Sequence, residues 1–192
     1  CSYSLFSRST VPHCLIPGHH LRQFIQNLHY PYPRMFGTPF WTEGWALYCE
    51  FRLWEMGFAQ NAKNRVGMLF WRMHRCARIK FSLSFHLGKM TPAECIDFLV
   101  EKVGHERANA EAEVRRSFAG MYPPLYQAAY MLGAFQLRAL HHETVGAKKM
   151  TDKECNDAVL RNNNMPIAFL RVAMGVEAGT PDGLKPWAFR KP

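Results

Sequence analysis

Apolar residues recur at intervals of three and four along most of this chain, the spacing of helices that each bury one face. The clearest stripe runs over residues 62–87, through Val66, Leu69, Phe70, Met73, Ala77 and Phe81, and Gly88 closes it. Helical spacing also covers Trp41 to Gly57, with "MGF" as its stop. A first helix is expected from about Pro12 to Asn27, after an extended lead-in, "CSYSLFSRSTVP". It ends before "HYPYPRMFGTPF", whose three prolines and one glycine cannot sustain a helix.

Two local start signals are specific. "TPAE" at 91–94 puts Thr at the N-cap, Pro at the first helical position and Glu three residues after the cap, a capping box. "TDKE" at 151–154 repeats the device ahead of "CNDAVLR". Between them the pattern predicts an Ala- and Glu-rich helix over 105–118 and a long one over 124–145, stopped by Gly146. A short last helix starts near Met165-Pro166, ahead of a loose tail over 176–192. No segment alternates with the period of a strand, and none repeats. The pattern predicts an all-α protein.

Length and charge narrow the picture. A chain of 192 residues suits one helical domain over 1–192, with 1–11 as its lead-in. No run approaches the roughly 18 apolar residues of a membrane span. A first residue other than Met, and a histidine motif so close to it, suggest part of a larger protein. Support would then come from a missing N-terminal segment or a protein partner. The formal net charge of +9 suits an acidic partner. Nucleic acid is disfavoured, because only "RMHRCARIK" is dense in basic residues and no nucleic-acid-binding motif accompanies it. The six cysteines form no CxxC pair. Cys49, Cys76 and Cys95 fall in helical apolar patterns, where buried reduced thiols are expected.

The chemistry is concentrated in "HCLIPGHHL", residues 13–21. Zinc hydrolases commonly set two histidines on a helix as HExxH, with the Glu as general base and a third ligand from a following helix. His13 and His19 stand about 120° apart on a regular helix, whereas His20 shares the face of His13. Pro17 removes a backbone donor and bends the chain, so spacing leaves both open as the second ligand. In "TEGWALYCE", Glu43 and Glu50 lie seven apart on one helical face. One carboxylate can ligate while the other orients an imidazole.

In that order, "HCLIPGHHL", "EGWALYCE", "RMHRCARIKFSLSFHLGKMTPAECIDFL", "EVRRSFAGMYPPLYQAAYMLG" and "DAVLRNNNMPIAFL" carry a resemblance over Val11 to about Met174. The chain resembles the mainly bacterial domain-of-unknown-function family numbered 885, which is itself similar to zinc metallopeptidases and has the signature HExxPGHHLQ. The resemblance implies a multi-helix, gluzincin-like (zincin-like) helical domain, the C-terminal, motif-bearing part of usually longer proteins. It implies zinc as cofactor, with His13, His19 and Glu43 as ligands and His20, Glu50 and His86 around them. Tyr130 matches a family tyrosine able to donate to a developing oxyanion. Arg116 matches a family position without an assigned role.

Three departures from the family pattern bear on activity. Cys14 stands where the signature has its Glu, Arg22 where it has Gln, and Cys155-Asn156-Asp157 where a Phe-His-Asp block is usual. A thiol cannot shuttle a proton between water and a leaving amine as that Glu would, and losing a general base costs about 10²–10⁴-fold in rate. Near zinc, Cys14 could instead ionise and ligate, closing the open position. The expectation is a degenerate metallopeptidase-like protein, proteolytically inactive, serving as a structural or accessory subunit. The alternative is an active zinc-dependent peptidase with a substitute base such as Glu50.

Overall fold

A computed structural model of the chain describes residues 3–29, 37–178, 187 and 189. Its elements in order are α1 (Tyr3–Cys14), α2 (His19–His29), α3 (Pro39–Glu55), α4 (Ala62–His86), α5 (Pro92–Val103), α6 (Arg107–Phe118), α7 (Tyr126–His141), a π-helical turn (His142–Gly146), α8 (Asp152–Arg161) and α9 (Ile167–Ala173). No strand occurs among the described residues, so the chain is all-α. Most of the Pro-rich stretch after α2 and most of the expected tail lie outside the described residues.

Both capping boxes form. Glu94 N donates to Thr91 Oγ1 at 3.3 Å while Thr91 N donates to the Glu94 carboxylate at 2.7 Å. The Thr151–Glu154 pair repeats this at 3.2 and 2.8 Å. Such signals are readable because all their partners lie within one turn.

The first expected helix is two helices. Pro17 cannot donate a ladder bond, and the helix ends at Cys14, so His13 lies in the last turn of α1 and His19 opens α2. The expected extended lead-in is helical instead from Tyr3 onward. Its Ser and Thr residues are weak helix formers, and packing decides: Phe6 lies against Phe70 and Trp71, with ring centroids 5.2 and 5.6 Å apart.

The chain divides into two compact units, Cys1–Ser9 with Gly57–Met131 and Thr10–Met56 with Leu132–Pro192. In the first, α5 packs on α4 and α6 around Ala77, Phe81, Cys95, Leu99, Val103, Ala110 and Val114. The expected apolar stripe of α4 is only partly the buried one. Ala77 and Phe81 are buried, but Val66, Leu69 and Met73 are 57%, 46% and 44% exposed. The buried face instead carries His74, Arg75 and Arg78. Arg78 Nε donates to Glu113 Oε1 at 2.7 Å, and His74 Nδ1 meets His105 Nε2 at 2.8 Å. A count of apolar residues cannot register polar groups that are buried because they are paired.

Burial pushes the His74 pKa far below its ordinary value, with Arg78, His105, Arg75 and Arg116 adding to the shift. His105 is lowered too, chiefly by burial, against an opposing effect of Glu113. A histidine depressed in the folded state takes up its proton preferentially when unfolded, so its contribution is intact above the unfolded pKa of about 6.5 and lost below it. Urea midpoints should therefore fall between pH 7.5 and 5, and His74→Gln should flatten that fall. An unchanged slope in the variant would remove His74 as the cause.

In the second unit, α3 and α7 approach until backbones touch. A Cβ on Gly133 would stand 2.0 Å from the Phe40 carbonyl oxygen and 3.0 Å from Gly44 Cα. This contact lets Trp41, Leu47, Leu137 and Leu140 be completely or nearly completely buried. The Asn164 side chain accepts from Thr38 N and donates to Thr42 Oγ1, both at 2.8 Å, fixing the start of α3. The face that α2 buries is polar: Arg22 donates to Gln26, which donates to Asn163, at 2.8 and 2.9 Å. Phe24 and Leu28 of α2 are left exposed.

Candidate metal centre

The break between α1 and α2 is held by α3. Trp45 Nε1 donates to the Pro17 carbonyl at 2.9 Å, and the Cys49 thiol donates to the same oxygen at 3.6 Å. Burial pushes the Cys49 thiol well above its ordinary pKa, with the neighbouring Glu50 charge adding to it, so it stays protonated as a donor. Gly18 N closes the turn on the Pro12 carbonyl at 3.0 Å. Gly18 itself lies so close to the end of α1 that a Cβ there would be 1.9 Å from the His13 carbonyl oxygen.

This turn brings the end of α1 and the start of α2 over one face of α3. His13, His19 and Glu43 each offer a donor atom, all within 4.8 Å of one another. His19 Nε2 is 3.1 Å and His13 Nε2 3.9 Å from Glu43 Oε2. The two imidazoles stand perpendicular with centroids 4.8 Å apart. Behind His13, Glu50 Oε1 lies 2.8 Å from Nδ1, with both residues buried. An ionised carboxylate only accepts, so with Nδ1–H donating to Glu50 the Nε2 lone pair of His13 is left facing Glu43. Two imidazole nitrogens and one carboxylate oxygen, with a carboxylate behind the first histidine, are a donor set suited to zinc.

The other expected residues have surroundings of their own. Cys14 follows His13 but is exposed and is not one of the three converging donors. His20 is exposed on α2. His86 is exposed at the end of α4, its ring against Phe85 and Phe118. Tyr130 is buried in α7 with the Arg78 guanidinium 4.8 Å over its ring. Arg116 lies over Tyr122 at 5.3 Å and donates to Gln127 at 3.4 Å. In the altered block, Cys155 is buried against Thr144, Asn156 accepts from the Tyr48 hydroxyl at 3.2 Å, and Asp157 pairs with Lys153. The five described cysteines are unpaired, and Cys76, expected buried, is exposed on α4. The clamp on the Pro17 carbonyl had no sequence signal beyond Trp45, because its acceptor is backbone.

Over residues 4–174 the chain matches the sequence profile of the family described as bacterial protein of unknown function (DUF885). It belongs to that family. No curated protein matches the chain. A solved structure, "the putative lipoprotein from Colwellia psychrerythraea", is 25% identical with a TM-score of 0.76 over 89% of this chain. The chain spans 30% of that structure's length.

Within this DUF885 chain, Glu50→Gln keeps the shape of the side chain but removes the charge that fixes the His13 tautomer. Losing such an orienting carboxylate costs about 10–100-fold in metal affinity. Taken as a zinc site, the trio should show that loss when the variant is titrated with zinc; equal affinities would place Glu50 outside the ligand set's support.

Proposed function

We propose that this chain is a degenerate metallopeptidase-like member of DUF885 that holds a zinc ion, has lost proteolysis, and acts as an accessory or structural subunit. One observation carries this: His13, His19 and Glu43 converge within 4.8 Å while the residue after His13 is an exposed cysteine. Bound zinc would polarise a carbonyl and acidify a bound water, chemistry that still needs a base to move the proton. Glu50 is a poor substitute. It is 3% exposed and engaged on Nδ1 of His13, on the far side of that ring from Nε2. The net charge of +9 favours an acidic protein partner.

The alternative is an active zinc-dependent peptidase. The zinc-loaded, unmodified chain should leave a mixed library of quenched fluorescent peptides uncut. Cleavage that a chelator abolishes would overturn the pseudoenzyme assignment in favour of that alternative.

A further inference from the structure

The side of α4 turned away from its core carries an ordered pattern. Val66, Leu69, Met73, Cys76 and Leu83 of α4 and its C-cap Leu87 are all exposed, and with Lys80 they fall at alternating intervals of three and four over three heptads. Strict alternation of three and four is the period of a seam that receives another helix, narrower than the apolar face a helix buries in its own core. The neighbouring aromatics do not widen it: Phe70 packs on the core of its unit and Trp71 against Phe6 and His74.

Charge selects the occupant. The 25 residues of α4 include no Asp or Glu. Lys63, Arg65 and Lys80 are exposed along this side, and Arg72 is half-buried beside it. A second copy would set these cations against themselves, with +9 on each chain. An anionic membrane would satisfy the charge, but helices lying on membranes present a broad apolar face with bulky aromatics.

We infer that this face of α4 is a docking seam for an acidic amphipathic helix of a partner protein, with its own apolar heptad seam flanked by Glu or Asp. The inference rests on the accessory-subunit assignment and names the kind of partner it requires.

The test titrates the full chain with two designed three-heptad peptides that share a Leu/Ile seam, one flanked by Glu and one by Lys. The Glu peptide should bind one to one and the Lys peptide should not. Leu69→Glu should weaken the Glu peptide by about tenfold or more, with unchanged far-UV circular dichroism. Lys63→Glu with Arg65→Glu should reverse the preference without touching any seam position. Four results would each overturn the inference: equal binding of both peptides, binding of neither, dimerisation of the chain trapped as a Cys76 disulfide, or Leu69-dependent binding to phosphatidylglycerol vesicles. None involves zinc or proteolysis. Failure here leaves the loss of peptidase function standing, and a chelator-sensitive peptidase would fail that assignment whatever the peptides do.

Discussion

Replacing Gly18 with alanine should cost at least about 3 kcal/mol of stability, the upper part of the range for overpacking. The new Cβ would lie 1.9 Å from the His13 carbonyl oxygen and 2.5 Å from that of Pro12. Both are backbone atoms at the end of α1, so no side chain can rotate away. Relief requires α1 and α2 to separate, and that motion pulls His13 from His19. It also strains the hydrogen bonds that Trp45 and Cys49 donate to the Pro17 carbonyl. Urea denaturation should show the lower midpoint, and on the proposed function the variant should also lose zinc binding even where it remains folded. Near-normal stability would mean that the turn is not held as tightly as its contacts indicate.

The second large effect is a gain. On the proposed function, Cys14→Glu should raise chelator-sensitive peptide cleavage by about 10²–10⁴-fold over the unmodified chain, the usual worth of a general base. Position 14 is exposed, so a longer side chain fits without repacking the core. Cys14→Gln is the control, with the same length and polarity but no basic oxygen, and it should stay at the unmodified rate. If Cys14→Glu binds zinc and remains inactive, the base is not the only function this chain has lost.

Much of the fold was legible because its signals are local. The two Thr-to-Glu capping boxes each complete themselves within four residues, and they mark α5 and α8 as expected. The α4 boundaries were equally clear, but its orientation was not. Val66, Leu69 and Met73 follow helical spacing, yet His74, Arg75 and Arg78 take the inward side, with His74 and Arg78 engaged by His105 and Glu113, residues far away in sequence. α2 is a parallel case, since Arg22 is buried through Gln26 and Asn163 while Phe24 faces outward.

The candidate centre divides the same way. Pro17-Gly18 signalled a disturbed helix, and Glu43 and Glu50 signalled two carboxylates on one face. Residue spacing left His19 and His20 equal. The structure separates them because the chain restarts at His19, which faces Glu43, with His20 exposed one position on. The turn that does this is set by a backbone carbonyl and a missing Cβ, neither of which a list of side chains displays.

The central claim is that His13, His19 and Glu43 hold a metal without Cys14. Zinc titration calorimetry on the metal-free chain, joined to X-ray absorption at the zinc edge, addresses it directly. The account predicts one zinc per chain, lost in His13→Ala and Glu43→Ala, with a shell of nitrogen and oxygen alone. No stoichiometric zinc, or a sulfur ligand at about 2.3 Å, would contradict it.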